Sequence, residues 1–110
     1  MDYTIDYFIS KFEAIPEDKW TIGTIRTNDG RCCTMGHCGV TYSDDHLGTS
    51  SYWVSTKEAN ALLKILGADI EGDEDSHSSD IWKLIYTIND GTNNTPKKNI
   101  LEHLKKLKNK

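Results

Sequence analysis

The chain has 110 residues and a formal net charge of −4. That length predicts one domain over residues 1–110, and the negative balance argues against DNA or RNA as a partner, since nucleic-acid binders usually carry a basic face. With 36% hydrophobic and 27% charged residues it reads as an ordinary globular protein, and no apolar run approaches the ~20 residues of a membrane span.

The predicted elements follow in chain order. Thr4 is the expected N-cap of a first helix, whose apolar face is Ile5, Phe8, Ile9, Phe12 and Ile15. Pro16 closes it, because the residue before a proline is pushed out of the α region. Trp20 to Arg26 reads as extended, Asn28-Asp29-Gly30 as a turn, and Arg31-Cys32 as a short returning strand. A small-residue helix is expected from about Cys33 to Gly39. Val40 to Gly48 reads as loop, and Ser50 to Val54 as a short strand or ordered loop. Ser55-Thr56-Lys57-Glu58 matches a capping box before Leu62, Leu63, Ile65 and Leu66, with Gly67 as the stop. Residues 69–80 hold six acidic side chains and three serines and read as a solvated loop. Ile81 to Ile88 is rich in β-branched and aromatic residues, so its second half reads as a strand, with a helical turn at Ile81 to Leu84 as the alternative for its first half, and Asn89-Asp90-Gly91 ends it. Thr95-Pro96 starts a last helix, with Ile100, Leu101, Leu104 and Leu107 as its buried stripe.

These elements predict an α+β fold: a small sheet of about three short strands covered by two to three helices, the two terminal helices on one face. Charge is uneven. Residues 96–110 carry six lysines and one glutamate, a balance of +5 that leaves −9 for the remainder. Lysines at a helix C-terminus complement its dipole, and a solvated helix end is the preferred reading over an arm for an anionic partner.

All three cysteines and one of four histidines fall within Cys32-Cys33-Thr34-Met35-Gly36-His37-Cys38. A structural zinc site usually draws four ligands from two separated pairs. Here the pairs are adjacent, and a fourth ligand would have to come from His46, His77 or His103, so no metal is expected. A nucleophilic thiol is the second reading: Cys32 or Cys33 where a strand meets a helix, His37 or His46 as base, and Asn89 or Asp90 as the orienting group. The preferred reading is packing, with the cysteines as small hydrophobes and Gly36 and Gly39 allowing close approach. No cofactor is implied.

Candidate ligand contacts are more dispersed. Arg26 and Arg31 are the only arginines and flank one turn, a candidate two-pronged anion clamp. Trp53 and Trp82, with Trp20 and Tyr52, are candidates to stack on a flat ring. Asn89, Asp90 and Thr95 lie just before a helix start, where backbone N–H groups hold anions.

The segments from Phe8 to Trp20, from Gly30 to Gly39, Ile88-Asn89-Asp90-Gly91 and Thr95 to Leu101 resemble a family of small proteins of bacteriophages, prophages and gut-bacterial mobile elements. That family's pattern runs close to IPEDQW, GRCCALGHCG, INDG and TPKxRIL. This chain departs from it at Thr34-Met35 and in the acidic stretch at 69–80. The resemblance implies a small protein of the host-cell cytoplasm, encoded by a phage or mobile element. The acidic start Met1-Asp2-Tyr3-Thr4, without a signal peptide's pattern, fits the same expectation, and reduced thiols follow. By analogy such a protein counters a host defence by sequestering a small, anionic, nucleotide-derived ligand, alone or as a homo-oligomer. The alternatives are a cysteine-dependent hydrolase of such a ligand, using Cys32 or Cys33, His37 and Asp90, and a protein–protein inhibitor without a pocket.

Overall fold

The computed structural model describes residues 3–44, 51–70, 77–91 and 95–109. They form a mixed helix-and-sheet fold: five α-helices and one two-stranded antiparallel sheet. The sheet thus has two strands where the sequence suggested about three, and the helices outnumber the expected two to three.

Helix α1 spans Ile5–Ala14, and Thr4 caps it by accepting the Tyr7 N–H at 3.1 Å. Phe8 and Phe12 are fully buried on its inner face, and the Phe12 ring meets Trp20 edge-on at 5.6 Å. Helix α5, Pro96–Lys108, lies against α1 and buries Ile100, Leu101 and Leu104. The contact between the terminal helices is the one expected from their apolar stripes.

Residues 20–33 do not form the expected strand pair. Trp20 and Arg26 each make a single bridge, and both bridges use Cys32. The chain between them bends outward because Gly23 sits at φ +77°, a left-handed conformation that a strand ladder does not accept. The Thr27 N–H to Arg31 carbonyl bond of 2.8 Å then closes the predicted turn.

Helix α2 is short, Thr34–His37. Strand β1, Thr41–Asp44, lies where a loop was expected and pairs with β2, Ser51–Val54, in the register Thr41–Val54 and Tyr42–Trp53. Helix α3, Lys57–Ile65, is capped by Thr56, one residue later than the capping box implies. The Ser55 hydroxyl is taken by Asn60 Oδ1 at 2.7 Å. Glu58 leaves the cap for Lys11 and for the Tyr7 hydroxyl at 2.6 Å. That bond pushes the Tyr7 pKa up to about 12.

The largest correction is α4, Ser79–Asp90, a helix throughout where the second half of Ile81–Ile88 was read as a strand. Trp82, Ile85 and Asn89 are buried at helical spacing, while Lys83 and Thr87 are exposed. Burying that face against α5, α3 and α2 overrides the intrinsic β preference of the isoleucines and aromatics. Ser79 and Asp80, expected in the acidic loop, form its first turn. Residues 71–76 of that loop lie outside the described residues, as do residues 45–50, which include His46.

Candidate functional site

Four segments enclose a groove: the outward bend at Gly23–Arg26, the start of α2 with Cys33 and Met35, the hairpin with Trp53, and one side of α4. Its narrower part, about 290 Å³, is lined by Ile25, Cys33, Met35, Trp53, Tyr86 and Asp90, together with the exposed Gly23, Thr24 and Ser79. Its wider part, about 720 Å³, shares Gly23, Thr24, Ile25 and Trp53 and adds Arg26, Val40, Thr41 and Tyr42. Small-ligand sites are commonly concave, mostly apolar and of this size, with a few polar groups that fix orientation.

Local sequence explains how the groove is built. Gly23 turns the chain outward, and a Cβ there would meet nothing within 4 Å, so the bend fronts open space. Gly36 brings α2 so close that a Cβ would lie 2.5 Å from the Ile25 carbonyl oxygen. That approach, with the Cys33 N–H to Ile25 carbonyl bond of 3.0 Å, fixes Ile25 in the groove wall. Trp53 is held from behind by Trp82, edge-on at 5.9 Å, and flanked by Tyr86 at 6.3 Å.

Four residues singled out from the sequence meet here: Arg26, Cys33, Trp53 and Asp90. Others stand elsewhere. Arg31 pairs with Asp29 at 3.2 Å and lines a separate cleft with Glu17, Asp18 and Trp20, so the two arginines line different cavities. Thr95 lies beside Pro96 and Lys97 in a third depression. Trp82 is 2% exposed and lines neither part of the groove; it packs edge-on against Trp53.

Asn89 is fully buried and spent on the fold. Its Oδ1 accepts the Thr34 N–H at 2.9 Å and the Thr34 hydroxyl at 2.8 Å. Its Nδ2 donates to the Thr21 carbonyl at 3.1 Å and to Asp90 Oδ1 at 3.0 Å. Asp90 Oδ1 also accepts the Gly23 N–H at 3.3 Å. Gly23, Thr24, Ile25, Met35 and Tyr86 were not singled out as contacts. A glycine inside a strand-like run was the available signal for the bend, and reading α4 as a strand concealed Tyr86.

The thiols divide by environment. Cys33 is 4% exposed, and burial pushes its pKa up, with the Asp90 charge adding to the effect. Cys38 is pushed up further, again chiefly by burial. Cys32 accepts the Arg26 Nε–H at 3.4 Å. His37 packs against Trp20 with the rings tilted by 58° and their centres 4.4 Å apart, and its Nε2 faces the Lys19 carbonyl at 3.1 Å. Nε2 therefore carries the proton when the ring is neutral. Burial lowers the His37 pKa. Its ring is thus held by tryptophan and backbone, and the Cys33 thiol is held protonated. Among the described residues, no three histidine, cysteine or acidic side chains converge on a point that would hold a metal ion, and no helix is long and apolar enough to cross a membrane.

Comparison of the chain with protein-family models, curated proteins and solved structures finds no match in any of the three.

Proposed function

We propose that this groove holds a small nucleotide-derived ligand and that the protein acts by sequestering it, as a phage-type accessory protein of the host-cell cytoplasm. The observation that carries the reading is the meeting of Arg26 with Trp53 across one concave surface. Trp53 offers a ring face to a base, and Arg26, whose Nε–H is on Cys32, offers its terminal N–H groups to a phosphate. The overall negative charge slows an anion's approach without preventing capture at a local cation. The likeness of the cysteine segment and of the Thr95-Pro96 helix start to small phage proteins supports the phage or mobile-element setting, and counter-defence enters by analogy with such proteins.

A cysteine hydrolase is the second reading, favoured by Cys33 and Asp90 lining the same cavity. It needs a thiolate, and burial opposes one.

The test is titration of the protein with cyclic dinucleotides and ADP-ribose derivatives, followed by tryptophan fluorescence and calorimetry. Capture is expected, with at least one ligand recovered unchanged after heat denaturation. Arg26→Ala should abolish capture and leave the fold intact, because exposed arginines contribute little to stability. A cleaved product would make the protein an enzyme. Absence of binding across the panel would leave a protein–protein inhibitor as the better reading.

A further inference from the structure

The two parts of the groove differ in charge. The wider part holds Arg26, and the narrower part, with Met35, Tyr86 and Cys33 on its walls, holds Asp90. The Asp90 carboxylate is fixed in place. Its Oδ1 takes the Gly23 N–H and the Asn89 amide, and Asn89 is itself locked on Thr34. Among the described residues nothing donates to Oδ2. A carboxylate only accepts, so whatever enters a mostly apolar cavity beside it is favoured if it brings a donor.

Resting on the nucleotide reading, we propose that the narrower part is a base pocket selective for amino-bearing bases. Asp90 Oδ2 accepts an N–H from the exocyclic amino group of adenine, guanine or cytosine, Trp53 and Tyr86 flank the ring, and the phosphate lies toward Arg26. Uracil and hypoxanthine fit less well. Their ring N–H groups lie beside carbonyl oxygens, which repel a carboxylate. Hypoxanthine has the shape of guanine and lacks only the amino group, so the pair isolates that one contact.

The test uses matched ligands on the full chain: guanosine against inosine monophosphate, and cytidine against uridine monophosphate, read by calorimetry and tryptophan fluorescence. The amino-bearing member of each pair should bind roughly tenfold tighter, the effect of leaving one partly buried acceptor unmatched. Asp90→Asn should invert the preference within the cytidine–uridine pair, where a carbonyl replaces the amino group, and level it within the guanosine–inosine pair, where no carbonyl is gained. The new amide keeps its oxygen on Gly23 and Asn89 and turns its N–H₂ to where Oδ2 stood, favouring a carbonyl edge. Equal binding within both wild-type pairs overturns base selection while leaving the groove as the binding site. The same holds for a ratio that the variant leaves unchanged. Should the variant not fold, the wild-type ratios decide alone. Failure of all four nucleotides to bind overturns base selection, and the titration with cyclic dinucleotides and ADP-ribose derivatives decides the binding reading separately.

Discussion

Asn89 and Thr34, far apart in sequence, are joined by two hydrogen bonds to one oxygen. Asn89 Oδ1 accepts both the backbone N–H and the hydroxyl of Thr34. The end of α4 thereby satisfies a donor at the start of α2 that no intrahelical carbonyl can reach. The same side chain holds Thr21 and Asp90, so one buried amide ties α4, α2 and the base of the groove bend together.

Asn89→Ala therefore leaves the Thr34 and Thr21 groups without partners inside the protein. Each buried unsatisfied group costs about 1–3 kcal/mol. Allowing for relaxation, urea unfolding should show a loss of about 3 kcal/mol. A loss below about 1 kcal/mol would mean that water replaces the amide and that the network does not hold the bend.

The sequence made the terminal helices legible because their signals are local and strong: Thr4 as cap, Pro16 as stop, Thr95-Pro96 as start, and stripes at helical spacing. It concealed α4 because Ile81, Trp82, Ile85 and Ile88 satisfy a strand composition as well as a helical period. Only burial against other helices decides between the two. The groove was half legible. Arg26, Trp53, Cys33 and Asp90 announce themselves by residue type. Their meeting depends on the left-handed Gly23 and on Gly36 touching Ile25, both relationships of three-dimensional approach. The arginine pair shows the converse: Arg26 and Arg31 flank one turn in sequence, yet they line different cavities.

Gly36→Ala sets two effects against each other. Alanine is the better helix former by about 1 kcal/mol. Its Cβ would lie 2.5 Å from the Ile25 carbonyl oxygen and 2.9 Å from Cys32 Cβ, and backbone cannot swing aside as a flexible side-chain end can. Overpacking of this kind costs about 1–3 kcal/mol. A net loss of stability is expected in urea, with weaker capture of the proposed ligand because Ile25 is displaced. Gly23→Ala has open space and pays only for its positive φ, about 1–2 kcal/mol. A stabilised Gly36→Ala would show that α2 can retreat from Ile25 at no cost.

Native thiol labelling should be slow. Cys33 and Cys38 are 4% and 2% exposed, and burial raises both pKa values. At least these two should resist a thiol reagent in the native protein and react promptly in urea, as inert buried cysteines do. Rapid native labelling of Cys33 would restore the nucleophile reading. It would also require the groove to open around the sulfur.

The His37 ring gives the fold a dependence on pH whose sign follows from its packing. Burial between Trp20 and the chain lowers its pKa below the ordinary 6.5, with the Lys11 and Arg26 charges acting in the same direction. The Lys19 carbonyl opposes the shift without overcoming it. The folded state thus binds the proton less readily than the unfolded chain. The stabilising contribution is complete above the unfolded value and declines as pH falls below it, levelling off at the lowered folded value. Urea midpoints should drop between about pH 7.5 and about pH 5.5. His37→Gln keeps an N–H for the Lys19 carbonyl and cannot be protonated, so it should show a smaller drop over the same interval. Equal drops in the two proteins would mean that the ring accepts a proton in place, and that its contact with Trp20 holds an imidazolium as well as it holds the neutral ring.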